Sequence, residues 1–173
     1  MVSPMPEPSD VHPRLNRADA WLLAALTESS HDGRPVTLRD LVHDADWLNR
    51  AIPTFDEMSF GLPRLIAAGF MTVGVGGTSG VDFRASSEAT KLRKSIKAET
   101  LGGVLAAVAE ALGAAPYPES EPPEDRSLGR LPGLEPDDLE VAIREHGEWV
   151  ERWSKPFVGA ARALTRWQNR NRS

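Results

Sequence analysis

The 173-residue chain has no cysteine, which excludes disulfides, zinc–thiolate sites and thiol nucleophiles. A reducing, cytoplasmic setting is therefore the expected one. Long apolar runs are also missing. Nothing approaches the roughly 20 residues needed to cross a bilayer, so no membrane partner is expected. The opening residues MVSPMPEPSDVHPR carry neither the basic stretch nor the apolar stretch of a signal peptide. Excess positive charge is lacking too. The formal net charge of -5 argues against a strongly cationic nucleic-acid binder. Finally, no lysine occurs between Met71 and Thr90.

What is present is arranged unevenly. Acidic residues crowd the span from Glu119 to Glu151. Basic ones (Arg152, Lys155, Arg162, Arg166, Arg170 and Arg172) fill the remainder with no acid among them. Residues 1–13 carry Pro4, Pro6, Pro8 and Pro13 and little apolar content, the composition of a disordered arm. Ala18, Trp21, Leu22, Ala25 and Leu26 then recur at helical spacing. Thr37 is placed to cap a helix over Leu38–Arg50, and Thr54 to cap another over Phe55–Ala68 that ends at Gly69. Pro63 is expected to kink that second helix, because it removes the hydrogen bond to Ser59.

Ser86 or Ser87 is expected to cap a further helix reaching residue 113, with a joint at Gly102 and Gly103. Residues 99–113 form its packing half. Residues 114–134, rich in proline, glutamate and serine, read as an acidic linker. Residues 135–173 read as a C-terminal helical segment with a basic tail. Pro136 suits a first helical position. Pro156 is expected to kink or end that helix, with another over Val158–Trp167.

The stretch MTVGVGGTSGVDFR, residues 71–84, poses the sharpest choice. Its glycines could cradle a phosphate or turn a hairpin. A P-loop requires GxxxxGK[ST], and the lysine is absent. The pattern GxGxxG fails at Ser79. Both motifs also need a helix straight after the glycines, whereas VDFRA alternates as a strand. The stretch is predicted to be a β-hairpin with a glycine-rich tip.

The order helix, helix, short turn, helix, hairpin, helix now stands. With the phrases FGLPRLIAAGFMTV and RASSEATKLRKSI, residues 14–98 resemble a winged helix-turn-helix domain, in the style of small bacterial transcription regulators. That resemblance implies a mainly α fold with a small β-hairpin: a winged helix-turn-helix plus C-terminal helices. Residues 55–68 would be its recognition helix, seated in the major groove of double-stranded DNA. With Phe55, Met58, Leu62, Leu65 and Ile66 turned inward, Asp56, Glu57, Ser59, Phe60, Pro63, Arg64 and Ala67 are expected to face out. Ser59 and Arg64 are expected DNA contacts on that helix, and Arg64 is the only side chain there able to make a bidentate guanine contact. Arg34, Arg39, Arg50, Arg84, Lys91, Arg93, Lys94 and Lys97 are the expected grip on phosphates. Under this reading the chain is a transcriptional regulator without catalytic activity. A second reading stays open: a winged-helix adaptor that binds protein, with Phe60 beside Pro63 marking the contact surface.

Catalytic and metal chemistry find little support in the sequence, and no catalytic residue, cofactor or metal is expected. His43 and Asp46 stand one helical turn apart, but no third ligand is evident. His146, between Ile143 and Trp149, reads as a packed structural histidine. Trp149, Trp153 and Phe157 follow at helical spacing. They are compatible with a homodimer or partner interface, a ligand pocket, or packing onto the chain's own domain. Packing, within the chain or across a dimer, is the favoured expectation.

Overall fold

The computed structural model describes residues 13–30, 33–74, 81–114 and 128–170, with side chains as far as Ser154. The N-terminal arm up to residue 12, the hairpin tip at 75–80 and residues 115–127 of the acidic segment lie outside the described residues.

Three successive helices begin with the same reciprocal device. In α1 (Arg17–Ser29), α2 (Leu38–Asn49) and α3 (Phe55–Ala67), the side chains of Asn16, Thr37 and Thr54 accept a first-turn amide. Asp19, Asp40 and Glu57 return the bond to the capping residue's own amide. Each helix start is thereby fixed by residues three apart in sequence. α2 stops where Arg50 turns left-handed, at φ 54°. α3 stops at Gly69, whose φ of +77° suits a residue without Cβ. The Phe70 amide then reaches back to the Leu65 carbonyl at 2.9 Å, closing the helix end.

α1 is the hub. Its alanine- and leucine-rich sequence is apolar on nearly every side, and Ala18 to Leu26 are buried throughout, as befits a helix enclosed by others. It packs against α2, α3, α5 (Leu101–Ala111) and α4 (Ser87–Ser95). The sheet is antiparallel with three strands. β1 (Val36–Thr37) pairs with β3 (Asp82–Ala85), and β3 pairs with β2 (Met71–Gly74). Phe83, in register with both Val36 and Val73, points into the core and is fully buried.

The described residues thus form six helices and one small sheet. The mainly α fold with its hairpin matches expectation. β1 is an addition, too short for alternation to reveal. The joint in the 86–113 helix falls at Ile96–Thr100, earlier than Gly102 and Gly103. Thr100 caps α5 by accepting the Gly103 amide, so the glycines sit inside the first turn.

The expectation that a helix ends at Pro156, with another over 158–167, is corrected. α6 runs unbroken from Pro136 to Arg170, through Pro156, as one helix of 35 residues. Pro63 lies inside α3, which continues to Ala67. A proline forfeits one ladder bond. At Pro63 the lost partner is replaced, since the Leu131 amide donates to the Ser59 carbonyl at 3.0 Å. No helix among the described residues is long and apolar enough to cross a membrane.

Candidate functional site

The seam between α2 and α6 gathers the most chemistry. On α2, His43 and Asp46 are three residues apart and share a face. On α6, Leu139, Ala142 and His146 recur at spacings of three and four and are buried. His146 is the third partner that the His43–Asp46 pair lacked in the sequence. Its Nε2 lies 3.0 Å from Asp46 Oδ2, and its Nδ1 lies 3.3 Å from His43 Nδ1. A carboxylate can only accept, so His146 Nε2 carries the proton. With neutral rings, His146 Nδ1 then accepts from His43 Nδ1–H. The Trp149 ring closes the outer side, edge-on to His43 at 4.4 Å between centroids.

A cavity of about 120 Å³ opens between Arg39, Asp40, His43, His146 and Trp149. Beside it a groove of about 450 Å³ is lined by Ser29, Arg34, Asp44, Trp47, Arg93 and Leu101, among others. The charges around it are balanced in place. Arg39 binds Asp40 at 3.2 Å, and Arg93 Nε donates to Glu28 at 2.6 Å. Ser29 donates to the Asp44 carboxylate and is near the Asp40 carbonyl at 3.2 Å. Burial pushes the Asp44 carboxyl above its ordinary value, and the nearby Glu28 and Asp40 add to the rise against the pull of Ser29 and His43. Burial also pushes Asp40 upward, but the Thr37 hydroxyl and amide and the Arg39 guanidinium prevail and hold it below the ordinary value. Among the described residues no group of three or more acids and histidines is placed to hold a metal.

The structure divides the expected DNA contacts. Arg34 and Arg93 line the groove and Arg39 the adjoining cavity, with Arg39 and Arg93 already joined to acids. Arg50 lies over the Trp47 ring, 5.2 Å from its centroid. Arg84, on β3, reaches the Gly33 carbonyl at 3.4 Å. Lys91 and Lys94 on α4, and Lys97 just beyond, are exposed.

The expectation that Ser59, Phe60 and Arg64 face outward is overturned. Ser59 is fully buried, Phe60 is 6% exposed and Arg64 is 1% exposed. Arg64 points inward to Asp19 of α1, donating through Nε and Nη2 at 2.9 Å each. The other side of α3 is covered by residues 130–134, a strap from the end of the acidic segment. Arg130 stacks 5.4 Å from the Phe55 ring and 5.5 Å from the Phe60 ring, and lies 3.7 Å from Asp56. Leu131 and Leu134 are buried with the core. Their signal in the sequence was faint: two leucines flanking Pro132-Gly133 in a polar stretch.

Trp149 and Trp153, with ring centroids 6.0 Å apart, sit where α6 leaves the domain. They are 41% and 58% exposed. Trp149 packs on its own domain through His43, and Trp153 lies against Trp149. Phe157 falls within α6, but its side chain lies outside the described residues. No protein-family model, curated protein or solved structure matches this chain.

Proposed function

We propose that the chain is a protein-interaction module on a winged-helix scaffold, in which α3 serves packing instead of base reading. The element order α1-β1-α2-α3-β2-β3 supports the scaffold. One observation carries the interaction reading: both flanks of α3 are occupied by the chain itself, Asp19 holding Arg64 on one side and Arg130–Leu134 covering Phe60 on the other. A recognition helix needs side chains free to reach base edges. In α3 only Asp56 and Ala67 are well exposed, and the acid would repel phosphates. Two of the arginines point the same way, because an anion would have to displace Glu28 from Arg93 and Asp40 from Arg39.

Duplex binding is the test. Fluorescence anisotropy with mixed-sequence duplexes is expected to give weak binding at physiological salt. Tight binding that falls by about 10³ or more between roughly 50 and 200 mM salt would overturn the reading. Lys91→Glu with Lys94→Glu would then locate the grip, since these are the exposed cations of α4.

A further inference from the structure

We infer that α6 pairs antiparallel with α6 of a second copy of this chain, with Trp153 at the two-fold axis. The inference rests on the interaction-module reading and names the partner. At 1.5 Å per residue, the 35-residue helix is about 52 Å long. Among the side chains described, which end at Ser154, its own domain covers only those of the first part. Leu139, Ala142 and His146 are buried, but every residue from Gly147 to Ser154 is exposed. The apolar spacing of three and four does not stop there. It passes through Trp149 and Trp153, and in sequence it continues through Phe157, Ala160, Leu164 and Trp167. Trp149, Val150 and Trp153 therefore form an exposed apolar ridge on a helix patterned for a neighbour.

Charge complementarity identifies that neighbour. Residues 136–151 of α6 carry Asp137, Asp138, Glu140, Glu145, Glu148 and Glu151 against Arg144 alone. Residues 152–170 carry Arg152, Lys155, Arg162, Arg166 and Arg170 and no acid. The boundary falls at the helix midpoint, beside Trp153. Antiparallel pairing about that midpoint sets Glu140 level with Arg166 of the second copy, and Glu151 level with Lys155. Parallel pairing would set acid against acid and base against base. A helix with opposite signs in its two halves is self-complementary in one orientation, as a two-fold interface requires.

Light scattering and sedimentation of the full chain are expected to give twice the 18.9 kDa chain mass. Trp153→Glu is expected to give the single mass with an unchanged circular dichroism spectrum. Glu140→Lys with Glu151→Lys, and separately Lys155→Glu with Arg166→Glu, are each expected to be monomeric. Mixed together, the two are expected to form a dimer of one of each. The cysteine-free background allows a test of orientation. A short bismaleimide is expected to link Ser154→Cys to itself. It is expected to leave Ala163→Cys unlinked, because the two copies of that position would be about 30 Å apart along the axis. A monomeric wild-type chain, a dimer that survives Trp153→Glu, or self-linking at Ala163→Cys would each overturn the inference. A monomer that also leaves duplex DNA unbound would overturn the pairing alone. Steeply salt-dependent DNA binding would overturn the interaction-module reading itself.

Discussion

Arg64 and Asp19 meet inside the protein as a two-pronged ion pair, the guanidinium 1% and the carboxylate 0% exposed. The carboxylate has a second task. Asp19 Oδ2 also accepts the Asn16 amide at 2.9 Å, while Asn16 Oδ1 accepts the Asp19 amide at 3.0 Å. One acid thus closes the start of α1 and fixes α3 against it. The charges are out of water, and their pairing, together with the Asn16 amide on the carboxylate, offsets that cost.

Removing one partner is therefore expected to be severe. Arg64→Met leaves the Asp19 carboxylate buried without its cation and is expected to cost about 3–5 kcal/mol. Arg64→Lys is expected to recover only part of this, since an ammonium cannot make the parallel two-bond contact. Urea unfolding followed by tryptophan fluorescence measures both. A midpoint for Arg64→Met equal to wild type would remove this pair from the account of stability.

The close approach of α1 and α3 depends on Gly61. A Cβ there would stand 2.8 Å from Asp19 Oδ1 and 2.8 Å from Leu22 Cδ1. Gly61→Ala would ordinarily favour a helix by about 1 kcal/mol. Here it is expected to destabilise by about 1–3 kcal/mol through overpacking. Thermal unfolding reads the sign directly, and a raised midpoint would show that the helices can part without loss.

The strap over α3 is held by a backbone bond as well as by leucines. Leu131→Pro removes the amide that serves the Ser59 carbonyl, leaving a buried acceptor unpaired at a cost of about 1–3 kcal/mol. Residues 128–134 are expected to exchange their amides faster. Unchanged exchange there would mean that neither the Leu131 amide nor its side chain is needed to hold the strap.

What the sequence discloses well is local chemistry. Thr37, Thr54 and Ser86 cap the helices assigned to them and Gly69 ends α3, because each signal lies within four residues of its effect. The failures are contacts between distant segments. A charged residue on an amphipathic helix is ordinarily placed in solvent, and nothing near Arg64 announces Asp19, 45 residues away. His43 meets His146 across 103 residues. Pro63 looked like a defect in a recognition helix, yet its missing donor is replaced from a strap that reads as linker. Packing partners decided each of these, and they are not written in local periodicity.

Two neighbouring acids of α2 are expected to give opposite responses to pH. The folded state holds Asp40 below the ordinary carboxylate value of 3.8, so its contribution is present above that value and lost as pH falls through the lower, folded one. Asp40→Asn is expected to cost about 1 kcal/mol at neutral pH through the weakened capping box. The gap from wild type is expected to close as the medium is acidified below about pH 4. Asp44 is held above 3.8, so its ionisation in the folded state opposes stability as pH rises through that raised value. Asp44→Asn keeps an acceptor for Ser29 and removes the buried charge, and is expected to be neutral or stabilising at pH 7. Denaturation midpoints for the two variants across the acid range check both signs. The same direction of change in both would show that Thr37 and Arg39 do not distinguish Asp40 from its neighbour.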